Sequence, residues 1–128
     1  MTEYYFMNGE YVEASKAMIP ARTHAFLYGT AVFEGIRAYW NDEEKQLYIF
    51  RAPEHYERLV RSGKIMYMES PYSIEEYCEI TRNLLKKNGY KENCYMRPNL
   101  YKSAQKVGPG LYDNPDSFMI IPNKMGDY

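Results

Sequence analysis

Apolar and polar positions alternate in short runs at both ends of the chain and recur at helical spacing in its middle. Residues 4–7 and 11–12 are strand-like and flank Asn8-Gly9, the strongest two-residue hairpin signal, so the pattern predicts an opening β-hairpin. Runs at 33–40 and 47–51, on either side of the polar stretch 41–46, predict a second hairpin. After Pro53, a favoured first-turn residue, Tyr56, Leu59, Val60, Gly63, Met66 and Tyr67 keep helical spacing, which predicts a helix over 53–66 with one buried stripe. Ser73 with Glu76 reads as a capping box. It opens a second helix in which Ile74, Tyr77, Cys78, Thr81, Leu84 and Leu85 repeat the spacing until Gly89 stops it. Strands at 94–101 and 117–121 follow, separated by a Gly/Pro loop over 102–115, and Pro98 predicts an edge position or a bulge for the first of them. Hairpins, two adjacent helices and strands again imply an α+β fold: a two-layer sandwich with two main helices packed on a mostly antiparallel sheet.

Composition narrows the functional classes. The 128 residues suit one domain with one core. With 16 basic and 17 acidic residues and no cationic block, the electrostatic footprint of a nucleic-acid binder is missing. No apolar run reaches signal-peptide length or the roughly 20 residues that span a bilayer, so the expectation is a cytoplasmic protein with no membrane partner. Cys78 and Cys94 sit in apolar settings without a CxxC or a Cys/His cluster. They read as two reduced, buried thiols, with neither a metal site nor a disulfide. The 15 tyrosines suit an interface or a pocket without choosing between them.

Strand alternation places Phe33, Gly35, Arg37 and Tyr39 on one face and Glu34, Ile36, Ala38 and Trp40 on the other. On the later strand Tyr95, Arg97, Asn99 and Tyr101 share a face opposite Cys94, Met96, Pro98 and Leu100. A polar, aromatic face of this kind can simply meet water or hold surface stacking. Gly35 adds a gap against the sheet that a ligand could enter, lined by Phe33, Tyr95 and Arg97, which would suit a small amphipathic anion such as an amino acid.

Four motifs occur in one order: HAFLYGTAVFEGIR over residues 24–37, His55-Tyr56-Glu57-Arg58-Leu59, Tyr95-Met96-Arg97-Pro98, and Val107-Gly108-Pro109-Gly110. Together they resemble the small N-terminal domain of branched-chain aminotransferases, fold-type IV enzymes that use pyridoxal 5′-phosphate, and the likeness covers residues 4–121. The resemblance implies that Arg58 holds the cofactor phosphate, for which a guanidinium fork is well shaped. It assigns Phe33 and Gly35 to the wall of the substrate pocket, Tyr95 to the amino-acid carboxylate, and Arg97 to the rim that meets the side-chain carboxylate of glutamate. Tyr28, Val107 and Gly108 match elements that reach toward the neighbouring subunit, which implies a homo-oligomer, a homodimer at least. His24 and His55 fit the motifs but read as structural hydrogen-bonders, so no residue here is assigned to catalysis.

Transamination needs a lysine that forms a Schiff base with the cofactor, and by resemblance that lysine lies in a second, larger domain. None of the nine lysines here occupies a matching position. Residues 1–122 are therefore expected to form the small domain and 123–128 to begin a linker, with the large domain absent and the chain alone inactive and binding the cofactor weakly or not at all. Many relatives carry an aromatic residue just before the Gly-x-Tyr of that linker, where this chain has Met125. The implied activity moves an amino group between branched-chain L-amino acids and 2-oxoglutarate. The alternatives are a D-amino acid aminotransferase or aminodeoxychorismate lyase on the same fold, and a non-catalytic binding or assembly module.

Overall fold

The computed structural model describes residues 2–126. Strands β1 (Tyr4–Met7) and β2 (Glu10–Glu13) make the expected hairpin, with Asn8 at φ 53° and Gly9 at φ 81°, the paired left-handed residues a two-residue turn demands. A 3-10 turn (Ala14–Lys16) and a short helix α1 (His24–Tyr28) lead to β3 (Ala31–Phe33), β4 (Ile36–Asn41) and β5 (Gln46–Ile49). Helices α2 (Ala52–Ile65) and α3 (Ile74–Asn88) precede β6 (Cys94–Lys102) and β7 (Asp116–Lys124). Among the described residues the strands form one antiparallel sheet in the order β2-β1-β7-β6-β4-β5, with β3 paired to β6 alongside β4. The two long helices cover one face, as the α+β reading expects.

The core between these layers collects the predicted stripes. Tyr56, Leu59 and Gly63 of α2 and Tyr77, Cys78, Thr81, Leu84 and Leu85 of α3 are buried, against Ile36, Ala38, Met96, Leu100 and Ile120 of the sheet. Tyr67 departs from its stripe because α2 has already ended, and it is exposed at φ 58°. The capping box of α3 forms as written, Glu76 N donating to Ser73 Oγ at 3.1 Å and Ser73 N to Glu76 Oε1 at 3.0 Å. Where α2 crosses α3, the Tyr56 and Tyr77 rings stack at 4.7 Å, and Tyr56 shares a 2.6 Å hydrogen bond with Thr81. Cys78 and Cys94 are free and buried; burial pushes both thiols up, Cys94 to about 12, which removes them as nucleophiles.

Pro98 corrects the expectation of an edge strand or a bulge. β6 lies inside the sheet, with β7 on one side and β3 and β4 on the other. Two residues separate Phe33 from Ile36 and two separate Met96 from Asn99, so the register passes Pro98 without an inserted residue. Glu34 N donates to Pro98 O at 3.1 Å, and proline has no N–H to return the bond. The predicted strand over 33–40 is therefore divided into β3 and β4 at Glu34-Gly35. At the other end β7 continues to Lys124, past the expected linker start at residue 123, and the last two residues of that linker lie outside the described residues.

Candidate functional site

The division at Glu34-Gly35 sends two neighbouring residues to opposite faces of the sheet. Glu34 points to the helix side, where it is 6% exposed. There α2 presents His55 and Arg58, three residues apart and so on one helical face. Arg58 Nε and Nη2 donate to Glu34 Oε2 and Oε1, each at 2.8 Å, and His55 Nδ1 lies 2.7 Å from Glu34 Oε1. A carboxylate only accepts, so His55 carries its proton on Nδ1. Burial pushes the Glu34 carboxyl up, but the hydrogen bonds and charges of Arg58 and His55 outweigh it and hold the carboxyl below the usual range.

The Arg58 side chain is 62% exposed although its partner is buried. It opens on a cavity of about 390 Å³ lined by Phe50, Arg51, Glu54, His55, Arg58 and Arg61. Two of the five N–H groups of Arg58 are committed to Glu34. The others, with the Arg51 and Arg61 guanidiniums, give the cavity a surplus of positive donors. That donor set suits a phosphate.

The opposite face carries the other predicted group. Arg97 stands over the Phe33 ring, 4.4 Å from its centroid, and its Nε and Nη2 donate to the Tyr95 hydroxyl at 3.1 and 2.9 Å. Tyr95 in turn lies across Gly35: a Cβ built on Gly35 would meet the Tyr95 hydroxyl at 2.8 Å and its Cε2 at 2.9 Å. The gap expected at Gly35 is thus filled by the Tyr95 ring, and what this face offers a ligand is the exposed rim of Phe33 and Arg97.

Tyr28, Val107 and Gly108 form a third group. Gly108 N donates to the Tyr28 hydroxyl at 2.7 Å, and the buried His24 Nε2 donates to Gly108 O at 2.7 Å while its Nδ1 lies 2.8 Å from Thr30 Oγ1. Both backbone groups of Gly108 are therefore held by α1, and Val107 beside it is 70% exposed. The structure brings Phe33, Gly35, Tyr95 and Arg97 together, and Tyr28 with Gly108; it sets Arg58 apart from both, on the helix side. Sequence reasoning missed Glu34, Arg51 and Arg61. Glu34 was signalled by a carboxylate on an otherwise apolar strand face, and the arginines by the helical spacing of Arg51, His55, Arg58 and Arg61.

Among the described residues no group of His, Cys, Asp and Glu could hold a metal ion, and no helix is long and apolar enough to cross a membrane. The model of the amino-transferase class IV family matches residues 31–125, and the chain belongs to that family. It is 44% identical over 126 residues to the probable branched-chain-amino-acid aminotransferase of Aquifex aeolicus strain VF5, covering 98% of this chain and 40% of that protein. Among solved structures it is similar to the branched-chain aminotransferase of Thermoproteus uzoniensis with norvaline, at TM-score 0.92 and 35% identity over 100% of this chain and 42% of that one. A second solved branched-chain amino acid aminotransferase, from T.th. and complexed with N-(5′-phosphopyridoxyl)-L-glutamate, gives TM-score 0.89 and 38% identity, over 99% and 42%. The chain thus spans about two fifths of the length of these relatives. The family uses pyridoxal 5′-phosphate, and the cationic donors around Arg58 fit its phosphate.

Proposed function

We propose that this chain is the small domain of a pyridoxal phosphate-dependent aminotransferase that moves the amino group between branched-chain L-amino acids and 2-oxoglutarate. The observation that carries the reading is the likeness of nearly the whole chain to part of enzymes named for that activity, with a cationic cavity and an aromatic, arginine-bearing face in place. When bound, the cofactor supplies an electron sink and a carrier for the amino group. Arg58 binds the phosphate with the N–H groups that Glu34 leaves free. Phe33, with Tyr95 lying over Gly35, forms an apolar wall for a branched side chain, and the Tyr95 hydroxyl meets the substrate carboxylate. Arg97 at the rim turns to a side-chain carboxylate when glutamate replaces leucine, so one face takes both substrates.

The segment through Lys124, where β7 ends, acts as one folded unit, and a larger domain supplies the lysine that bonds the cofactor. The 128-residue chain alone then binds the cofactor weakly or not at all and is inactive. Tyr28, Val107 and Gly108 extend toward the neighbouring subunit of a cytoplasmic homodimer. The test is an assay of the complete enzyme containing this segment with L-leucine and 2-oxoglutarate, beside D-alanine and aminodeoxychorismate. Glutamate formation from L-leucine is expected, and a preference for either other substrate overturns the reading, as does turnover by the 128-residue chain alone.

A further inference from the structure

Glu34 has no place in the function described so far. It is a carboxylate buried on the helix side of the sheet, at the break between β3 and β4 where Pro98 leaves a hydrogen bond unmade. Its two oxygens take three donors: Arg58 Nε, Arg58 Nη2 and His55 Nδ1. This contact uses the Nε edge of the guanidinium and leaves the Nη1 amino group uncommitted to the carboxylate. A salt bridge that served the core alone would bury both partners. Here the carboxylate is buried while the arginine stays largely exposed beside Arg51 and Arg61 in the same cavity. Such an arrangement fixes the orientation of a flexible cation before a ligand arrives, and so lowers the ordering cost of binding.

We infer that Glu34, seconded by His55, is a positioning residue that holds Arg58 edge-on so that its Nη1 side is presented to the cofactor phosphate. The inference rests on the function proposed above. Glu34 touches neither phosphate nor substrate; it acts through Arg58. Glu34→Gln keeps the size of the side chain but sets an amide NH2 against a guanidinium donor, so one of the two parallel hydrogen bonds is lost and Arg58 is released.

The experiment titrates the apo form of the complete enzyme with pyridoxal 5′-phosphate and, separately, with pyridoxal, which lacks the phosphate. E34Q is expected to weaken pyridoxal 5′-phosphate binding about tenfold or more while pyridoxal binding changes little. R58A should behave alike, and E34Q/R58A should lose no more than R58A, since the two residues act as one unit. Unaltered pyridoxal 5′-phosphate affinity in E34Q overturns the inference. Equal losses for the two ligands overturn it as well, because a purely structural role would not distinguish them, and so does an additive double variant. If E34Q fails to fold, H55A replaces it in the same comparison, with a smaller loss of the same phosphate-selective kind expected. Failure of the unsubstituted enzyme to bind pyridoxal 5′-phosphate is a separate result, which overturns the proposed function and this inference with it.

Discussion

The Tyr95 ring occupies the space that a side chain at residue 35 would need, its hydroxyl 2.8 Å from where a Cβ on Gly35 would stand. Gly35→Ala therefore forces the ring aside and, with it, the two hydrogen bonds from Arg97. Because the near atoms are the outer end of a half-buried side chain on an exposed face, the expected loss in urea unfolding is small, about 1 kcal/mol. Tyr95→Ala in the same chain should make the G35A change nearly neutral; a G35A loss that persists without Tyr95 would place the strain elsewhere.

Glu34 gives stability a defined dependence on pH. Its carboxyl is held below the ordinary value of 4.5 in the folded chain, so the folded form is favoured where the group is ionised. That contribution is complete above 4.5 and disappears as the pH falls through the lower folded value. Unfolding midpoints measured from pH 6 down to pH 3 should drop less for Glu34→Gln than for the unsubstituted chain. Parallel curves would sink the assignment.

Loosening the Val107-Gly108 loop should not require loosening the domain. Tyr28→Phe removes the acceptor of the Gly108 amide, whereas His24→Phe removes the buried donor to Gly108 O and takes from the Thr30 hydroxyl its His24 partner. Hydrogen exchange at the Gly108 amide should quicken in both variants. Only H24F should lower the melting temperature clearly, because a buried polar group left without its partner costs about 1–3 kcal/mol of stability.

Lys102 is an interior cation, 2% exposed, whose Nζ lies 2.7 Å from Asp116 Oδ1 and donates to Tyr67 O at 3.0 Å and Asn114 O at 3.3 Å. Lys102→Met removes the cation from Asp116, whose Oδ2 still accepts from Glu69 N at 2.9 Å, and should cost about 3 kcal/mol in denaturant unfolding. K102M/D116N should recover part of the loss. An equal or greater loss in the double variant would show that the backbone contacts, and not the charge pair, hold this corner.

The long helices were legible because each repeats its period over several turns; Pro53 marks the start of α2, and Ser73 with Glu76 and then Gly89 bound α3. Helix α1 was not, since its five residues are too few to show a period. The inward and outward faces of 33–39 and 94–100 followed from alternation alone. The division at Glu34-Gly35 did not, because it depends on Pro98 lying opposite, a pairing set by the whole sheet. For the same reason the Arg58 motif could be read, and Glu34 stood out as a carboxylate on an apolar face, while their pairing across 24 residues could not. Lys102 gave no signal either, since its acceptors come from separate loops.

The unmade hydrogen bond at Pro98 also shapes how the sheet would carry a load. The ladder between β6 and β7 runs unbroken through nine residue pairs, whereas on the other side β3 and β4 each engage β6 through three. The long ladder is the beam of the domain, and β3 and β4 hang from it as two short panels joined at Glu34-Gly35. The anchor of Arg58 and the slot for Tyr95 share that joint, so a single peptide link separates the helix side of the sheet from its aromatic side.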